Sequence, residues 1–274
     1  MVEFDRIDFH GRSYPTGLHE PISRRTEFRA ASSKMVILDK KEIIRAATAK
    51  NRVAKRSIFG PETIKDQGGI GSCCGQASAV ALAKARYLAG QDWVELSGEY
   101  VYSKINDGRD QGALLDDGME ALKEWGAAEY LRSHHEQWRR RSFNSADDQS
   151  ASRFKAFDCV ALDNEWELAS ALINGWIAVV AVHANNSFMR IDNRGIAGPS
   201  SRGHGNHAVH VDDVSVDRNG SLLFDMVNSW GTKWGDGGRC RLSWRDHLAK
   251  TNRYHYFYAI KSVKDDPEDS IPDA

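Results

Sequence analysis

Residues 66–75 read DQGGIGSCCG and open an alanine-rich stretch that closes at Gly90. Because this stretch contains no proline and Gly75 is its one internal glycine, it predicts a buried helix that starts near Ser72. Cys73 then lies in the first helical turn, where unpaired backbone N–H groups and the helix dipole favour a negative charge. The thiolate is the reactive form of cysteine, so we predict that Cys73 is a nucleophile.

Three polar residues complement such a nucleophile: Gln67 lies in the same segment, and His207 and Asn228 are identified by the family resemblance described next. Gln67, together with the backbone N–H of Cys73, would stabilise the oxyanion that forms when a carbonyl is attacked. His207, 134 positions after Cys73, would pair with the thiolate and protonate the leaving amine. Asn228, 155 positions after Cys73, would hold the imidazole ring in orientation. The four residues together predict acyl transfer through an acyl-enzyme on the cysteine.

The segments around these residues resemble those of the papain-like cysteine peptidases (C1-type). Residues 66–75 resemble the nucleophile segment of that family, residues 206–209 (NHAV) its histidine strand, and residues 228–235 (NSWGTKWG) its Asn-Ser-Trp-Gly turn. The resemblance covers residues 58–260. It implies a two-lobed α+β fold, with a helical N-terminal lobe, an antiparallel β-barrel-like C-terminal lobe and the active site in the cleft between them. It also implies a thiol protease, a hydrolase without a metal or organic cofactor.

By the same resemblance, five residues are expected around the substrate cleft. Gly112, Ala113 and Leu114 would line the wall against which an extended peptide pairs. Ala208 would contribute an apolar floor to the adjoining pocket, and Trp230 would shield the histidine–asparagine hydrogen bond from water. An apolar floor favours a hydrophobic substrate side chain.

The chain departs from the family pattern at two positions beside the nucleophile. Cys74 stands where the family usually has tryptophan, which leaves a less bulky wall and a second thiol close to Cys73. Ile70 replaces a cysteine that commonly forms a disulfide in the family. The loss of that cysteine agrees with a reducing environment.

The chain divides into three predicted parts. Residues 1–56, which are rich in basic residues, would form an N-terminal extension or a short prosegment. Cleavage before Ser57 and a permanent extension wrapped on the fold both remain open. Residues 57–262 would form the peptidase domain, with a helical lobe over 57–150 and a β lobe over 151–262. The acidic residues 263–274 would form a flexible tail.

Local patterns also predict individual elements. Asp39 and Glu42 form a capping-box pattern at the start of a short helix over 39–51. Further helices are expected over 97–106, where Ser97 is the N-cap, over 116–125, where Asp116 and Asp117 lie at the positive end, and over 164–174, which ends before Gly175. Strands are expected over 154–162, 176–183, 207–216, 222–228, 239–244 and 254–260. The first half of the chain should therefore be mainly helical and the second half mainly β.

Composition excludes several classes of protein. The chain has 274 residues, of which 41% are hydrophobic, so it can form a packed core. With 37 basic and 38 acidic residues its net charge is −1, which gives no electrostatic reason to expect nucleic acid or a membrane as partner. Its longest strongly apolar stretch, residues 176–182, is too short to span a bilayer. We expect a peptide or protein substrate and leave the oligomeric state open.

The cysteines and histidines of the chain bear on disulfide bonds, on the redox compartment and on metal binding. Four cysteines, two of them adjacent, do not make a disulfide framework, and the N-terminus carries no secretory signal pattern. We therefore expect free thiols in the cytoplasm or another reducing compartment. His204, His207 and His210 recur every three residues, but positions 207 and 210 of a strand face opposite sides, so we predict no metal site.

Two alternatives to a peptidase stay open. A related Cys–His acyl-transfer enzyme, an amidase or a transpeptidase, would apply the same chemistry to another substrate. A catalytically silent module would keep the fold and bind extended peptides. Because each catalytic position holds a competent residue, we predict a cysteine-type endopeptidase or exopeptidase that hydrolyses peptide bonds.

Overall fold

A computed structural model of the chain describes residues 5–21, 35–200, 204–254 and 257–262. The chain begins with a hairpin of β1 (Arg6–Phe9) and β2 (Arg12–Pro15), and helices α1 (Lys40–Ala47) and α2 (Lys55–Ile58) follow. Helix α1 starts with the predicted capping box, and its Ile43 is fully buried in the core. This part of the N-terminal region therefore packs on the fold.

The domain boundary predicted between residues 56 and 57 falls inside α2. Lys55, the first residue of α2, is buried; its Nζ donates to the Leu172 carbonyl at 2.6 Å and its N–H donates to Asp213 Oδ2 at 2.9 Å. Burial lowers the pKa of Lys55 to about 8. Lys55 therefore joins α2 to the second half of the chain, across the predicted end of the N-terminal extension.

The helical lobe is built around α3. It contains α3 (Cys73–Leu88), α4 (Gly98–Ile105), α5 (Leu115–Glu124) and α6 (Ser145–Ser152). Every residue of α3 from Cys73 to Ala85 is buried, as the alanine-rich sequence predicts. The helices predicted over 97–106 and 116–125 are confirmed, with ends that differ by one residue.

The β lobe is a six-stranded antiparallel sheet. Its elements are β3 (Asp158–Leu162), α7 (Glu165–Ile173), β4 (Ile177–Val182), β5 (His207–Val216), β6 (Leu222–Val227), β7 (Arg239–Ser243), α8 (Ala249–Thr251) and β8 (Phe257–Lys261). The strand order is β3-β8-β4-β5-β6-β7. Strands β3 and β7 are therefore the edge strands of the lobe that was predicted to be barrel-like. All six predicted strands are present, although β3 begins four residues later than the sequence suggested.

The two lobes meet where α3 packs against β5. Lys84 on α3 donates to Asp212 on β5 at 2.5 Å, and Arg239 on β7 donates to the same carboxylate at 3.0 and 3.1 Å. All three side chains are buried. Burial lowers the pKa of Lys84 to about 8, whereas the two cations lower the pKa of Asp212 against the opposing effect of burial. This ion cluster fixes the helix that carries Cys73 relative to the strand that carries His207.

Two further predictions concern the C-terminal tail and membrane-spanning segments. The acidic tail predicted over 263–274 lies outside the described residues. Among the helices that the structure describes, none is long and apolar enough to cross a membrane.

Candidate active site

Cys73 is the first residue of α3 and is completely buried. The helix begins with the N–H of Gln76, which donates to the Ser72 carbonyl at 2.9 Å. The sulfur therefore lies beside the N–H groups of the first helical turn, which have no partner inside the helix and favour an anion.

His207 and Asn228 come together because β5 and β6 are neighbours in the sheet. His207 is the first residue of β5 and Asn228 directly follows the last residue of β6. His207 Nε2 donates to Asn228 Oδ1 at 2.8 Å. The Trp230 ring stacks on the His207 ring with centroids 4.4 Å apart and an interplanar angle of 25°. All three side chains are buried, so water is excluded from the histidine–asparagine bond.

The Cys73 thiol ionises readily although it is buried. Burial raises its pKa, but hydrogen bonds with Cys74 and His207, the charge of His207 and the N–H of Ala208 lower that pKa well below the ordinary thiol value. Within the described residues, His207 Nδ1 has no hydrogen-bond partner of regular geometry, so this nitrogen remains for the sulfur. The arrangement favours a thiolate–imidazolium pair.

Cys74, the departure from the family pattern, is a thiol of the opposite character. Its Sγ–H donates to the Ala113 carbonyl at 3.3 Å. Burial and the neighbouring Cys73 raise the pKa of Cys74 well above the ordinary value. Cys74 therefore stays protonated when Cys73 is ionised, and its single S–H can turn from the Ala113 carbonyl to the Cys73 sulfur.

Gln67 is held by residues of both lobes. Its N–H donates to the Ser229 carbonyl at 2.8 Å, and the Ser229 hydroxyl donates to its Oε1 at 2.7 Å. The amide orientation is thereby set, and Nε2 donates to the carbonyls of Ile70 at 2.9 Å and Pro15 at 3.2 Å. A carbonyl oxygen thus already lies against the group expected to stabilise an oxyanion.

The predicted cleft wall is occupied by the N-terminal part of the chain. The Ala113 N–H donates to the Gly17 carbonyl at 2.9 Å, and the His19 N–H donates to the Ala113 carbonyl at 3.0 Å, which pairs the two segments in parallel. Gly112 has a φ of 91°, and its N–H donates to Tyr102 Oη at 2.9 Å. Leu114 lies one residue further along, at the N-terminal cap of α5.

We call residues 5–21 the N-terminal strap, because they cross the cleft from Trp230 to Ala113. Tyr14 stacks on the outer face of the Trp230 ring, with centroids 5.6 Å apart. The Leu18 N–H donates to the Asn206 carbonyl, next to His207, at 3.1 Å. Gly17 lies so close to Gly71 that a Cβ would come within 2.6 Å of the Gly71 carbonyl carbon. The strap therefore contacts Gly71, shortly before Cys73, and Asn206, directly before His207.

The sequence analysis predicted an extension or prosegment over residues 1–56, but it identified neither residues 5–21 as the part that lies in the cleft nor the serine that orients Gln67. Strap contacts near the nucleophile are made mostly by backbone N–H and carbonyl groups, which no side-chain pattern reveals. Ser229 lies directly after Asn228 in the segment that pointed to the family, so its position was visible although its hydrogen bond was not. Ala208, which we expect to contribute an apolar floor to the pocket, directly follows His207 and is fully buried.

Metal-ligating side chains do not cluster in the ranges that the structure describes. These residues contain no group of three or more His, Cys, Asp or Glu side chains that could hold an ion. All four cysteines are free and buried.

Comparisons with known proteins agree with this geometry. A family model described as "Papain family cysteine protease" matches residues 51–257. The chain is 24% identical to the senescence-specific cysteine protease SAG12 of Arabidopsis thaliana, over 65% of this chain and 52% of that protein. It is 26% identical to an uncharacterised peptidase C1-like protein of Acanthamoeba polyphaga mimivirus, over 76% of this chain and 75% of the other.

Solved structures share the fold. Xylellain, a cysteine protease from Xylella fastidiosa, superposes with a TM-score of 0.66 at 20% identity, covering 90% of this chain and 96% of that one. A recombinant stem bromelain precursor gives a TM-score of 0.62 at 18% identity, with 86% and 78% covered. The chain belongs to the papain family of cysteine proteases, and the predicted two-lobed papain-like fold is confirmed. It spans about half the length of the first curated relatives.

Proposed function

We propose that this protein hydrolyses peptide bonds in peptide or protein substrates through Cys73. The thiolate attacks the carbonyl carbon, and the carbonyl electron pair moves to the oxygen. When that pair returns, the C–N bond breaks and His207 gives its proton to the leaving amine. Water, deprotonated by His207, then releases the acid from the acyl-enzyme. The observation that carries the proposal is the buried His207–Asn228 bond beside a cysteine whose pKa is lowered.

We propose that Gln67 and the backbone N–H of Cys73 stabilise the oxyanion of this reaction. The Gln67 amide is held by Ser229, so little reorganisation is needed when charge develops on the oxygen. The Pro15 carbonyl, which accepts from Nε2 at 3.2 Å, marks where a substrate carbonyl would bind.

We also propose that Gly112 and Ala113 form the wall for an extended substrate backbone. The strap already pairs with both hydrogen-bonding groups of Ala113, which supports this role. Ala208 and Leu114 would give the neighbouring pocket its apolar character, and Trp230 would cover the catalytic pair. Such a pocket favours a hydrophobic side chain.

The N-terminal strap, in this proposal, inhibits the enzyme until it is displaced. It occupies Gln67 Nε2 and both groups of Ala113, the same groups that a substrate would need. Helices α1 and α2 would remain after activation, because Ile43 and Lys55 are buried in the fold. The displaceable part would thus be shorter than residues 1–56, and the rest a permanent extension.

We propose a cytoplasmic or other reducing compartment for this chain. The four free, buried thiols support this location, because the fold uses them without disulfide bonds.

Hydrolysis of a fluorogenic peptide library, by the chain before and after removal of the strap, tests the proposed function. We expect cleavage that Cys73→Ala abolishes and that His207→Ala and Asn228→Ala reduce. Cleavage of a peptidoglycan fragment in preference to every peptide would favour an amidase instead. Peptide binding without turnover, even after removal of the strap, would favour a silent binding module and overturn the proposal.

A further inference from the structure

A small cavity lies behind the histidine–asparagine pair, between α3 and strands β5 and β6. Its volume is about 10 Å³, and Gln76, His210 and Asn228 line it together with apolar side chains such as Val80. This is roughly the volume that a single buried water molecule needs. The cavity is therefore large enough for one water and too small for an organic ligand.

Three polar atoms of the lining residues lack a hydrogen-bond partner within the described part of the chain. They are Gln76 Oε1, His210 Nε2 and Asn228 Nδ2, and each of these residues is at most 4% exposed. Asn228 Oδ1, by contrast, already accepts from His207 Nε2 and from the Ser229 N–H, both at 2.8 Å. Buried polar groups are nearly always paired with protein or ordered water, so these three atoms indicate a bound polar molecule.

The charges around His210 identify that molecule. Burial and the Lys84 cation lower the pKa of His210 well below its ordinary value; Arg239 acts in the same direction, and Asp212 opposes them. A neutral imidazole offers one bare nitrogen as an acceptor. Lys65 and Ser229 also line the cavity, but the Lys65 ammonium is paired with Glu95 and the Ser229 hydroxyl donates to Gln67. The lining atoms without a partner are then one donor, on Asn228, and two acceptors. Water can accept one hydrogen bond and donate two, whereas an ammonium ion could not accept from Asn228 and would be repelled by the two cations.

We propose that one water molecule binds in this cavity, accepting from Asn228 Nδ2 and donating to His210 Nε2 and Gln76 Oε1, and that His210 thereby positions the catalytic pair. The inference rests on the proposed roles of His207 and Asn228. If the Asn228 amide were rotated by half a turn, its NH₂ group would face the His207 N–H, and two donors would oppose each other. Its oxygen would face the water, whose two hydrogens already donate to His210 and Gln76. The water therefore keeps Oδ1 directed at the imidazole.

Crystal structures test the water directly and without reference to activity. We expect density within hydrogen-bonding distance of Asn228 Nδ2 and His210 Nε2 in the wild-type chain. His210→Phe should lose it, because the ring removes the acceptor and fills the space. A wild-type cavity without density at a resolution that shows other buried waters would overturn the site. This result is separable from the proposed function, which fails if the chain does not cleave peptides even after removal of the strap.

Kinetics test the positioning role. The alkaline limb of the kcat/KM profile marks the loss of a proton from the His207 imidazolium. In His210→Phe this limb should move about one pH unit lower, because Asn228 Oδ1 is no longer held as a fixed acceptor for the His207 ring. We expect kcat to fall while KM changes little, and His210→Gln, which keeps a polar partner, to restore most of the wild-type profile. Val80→Ala is the control, because it alters an apolar wall and should leave the profile in place. Identical profiles for His210→Phe and Val80→Ala would overturn the role.

Discussion

Replacing Gly17 by alanine should release the N-terminal strap and activate the enzyme. A Cβ on Gly17 would lie 2.6 Å from the carbonyl carbon and 2.9 Å from the Cα of Gly71, and closer still to the Gly71 oxygen. These are backbone atoms directly before the nucleophile, and Gly71 itself is tied to Asp110 by a hydrogen bond of 2.9 Å. Because neither side can give way easily, the strap segment around Gly17 must leave the cleft.

The size of the effect follows from the contacts that would be lost. Three backbone hydrogen bonds hold the strap near the nucleophile, through the Gly17 carbonyl and the N–H groups of Leu18 and His19. At about 0.5–1.5 kcal/mol each, they stabilise the closed strap by about 1.5–4.5 kcal/mol. At about 1.4 kcal/mol per factor of ten, their loss should raise the open population by roughly ten-fold to a thousand-fold.

The assay is the rate at which a peptidyl epoxide labels Cys73, followed by mass spectrometry, because the buried sulfur reacts only when the cleft is open. Gly17→Ala should label at least ten times faster than wild type and hydrolyse peptides faster. Asp8→Ala, on the exposed side of the same hairpin, should behave like wild type. Equal labelling rates for Gly17→Ala and wild type, with both chains folded, would refute an inhibitory strap.

Three further predictions concern ionisation and stability. Cys74→Ala removes a hydrogen-bond donor to Cys73, so a thiolate titration should show Cys73 ionising at a higher pH than in the wild-type chain. Cys74→Ser keeps a donor, so Cys73 should ionise close to the wild-type pH. A Cys74→Ala chain that titrates like the wild-type chain would exclude this donor. Asp212→Asn leaves two buried cations unpaired and should lower the free energy of unfolding in urea by about 3–5 kcal/mol. Asp148→Asn, at a partly exposed ion cluster, should cost under about 1 kcal/mol, and similar losses for the two variants would contradict this view. Burial and the charge of Asp212 raise the pKa of Asp225 to about 6, so folding favours its protonated form and stability is lost as pH rises from about 4 to about 6. Asp225→Asn should remove this loss, which amounts to about 3 kcal/mol, and an unchanged pH dependence would argue against a raised pKa.

The sequence predicted those features that depend on local patterns. The alanine-rich run, the capping box at Asp39 and the alternating strands each predict their own element, and the structure agrees to within a few residues. The spacing of Cys73, His207 and Asn228 pointed to one cleft because the family resemblance supplied the arrangement of the lobes. Composition and periodicity alone would have suggested two lobes without saying how they meet.

The features that the sequence did not predict depend on long-range packing. The strap pairs with Ala113 through its backbone, so its residue types carry little information, and only Gly17 is required by a close contact. The basic residues before Ser57 suggested an extension or a removable prosegment, and lysine is seldom buried. Lys55 is nevertheless buried, because its ammonium donates to the Leu172 carbonyl and its backbone N–H donates to Asp213. His210 resembled one more strand residue until the cavity beside it was visible.

A pH titration of the thiolate by ultraviolet absorbance tests the central claim most directly, because it reports the charge on the sulfur whether or not the strap is in place. The account predicts that the wild-type chain keeps a thiolate at about pH 6. Cys73→Ala should lose this absorbance, and in His207→Ala it should appear only near the pH at which an ordinary cysteine ionises. A wild-type chain whose first thiolate forms above about pH 8, with a titration that His207→Ala leaves unchanged, would contradict the proposed ion pair.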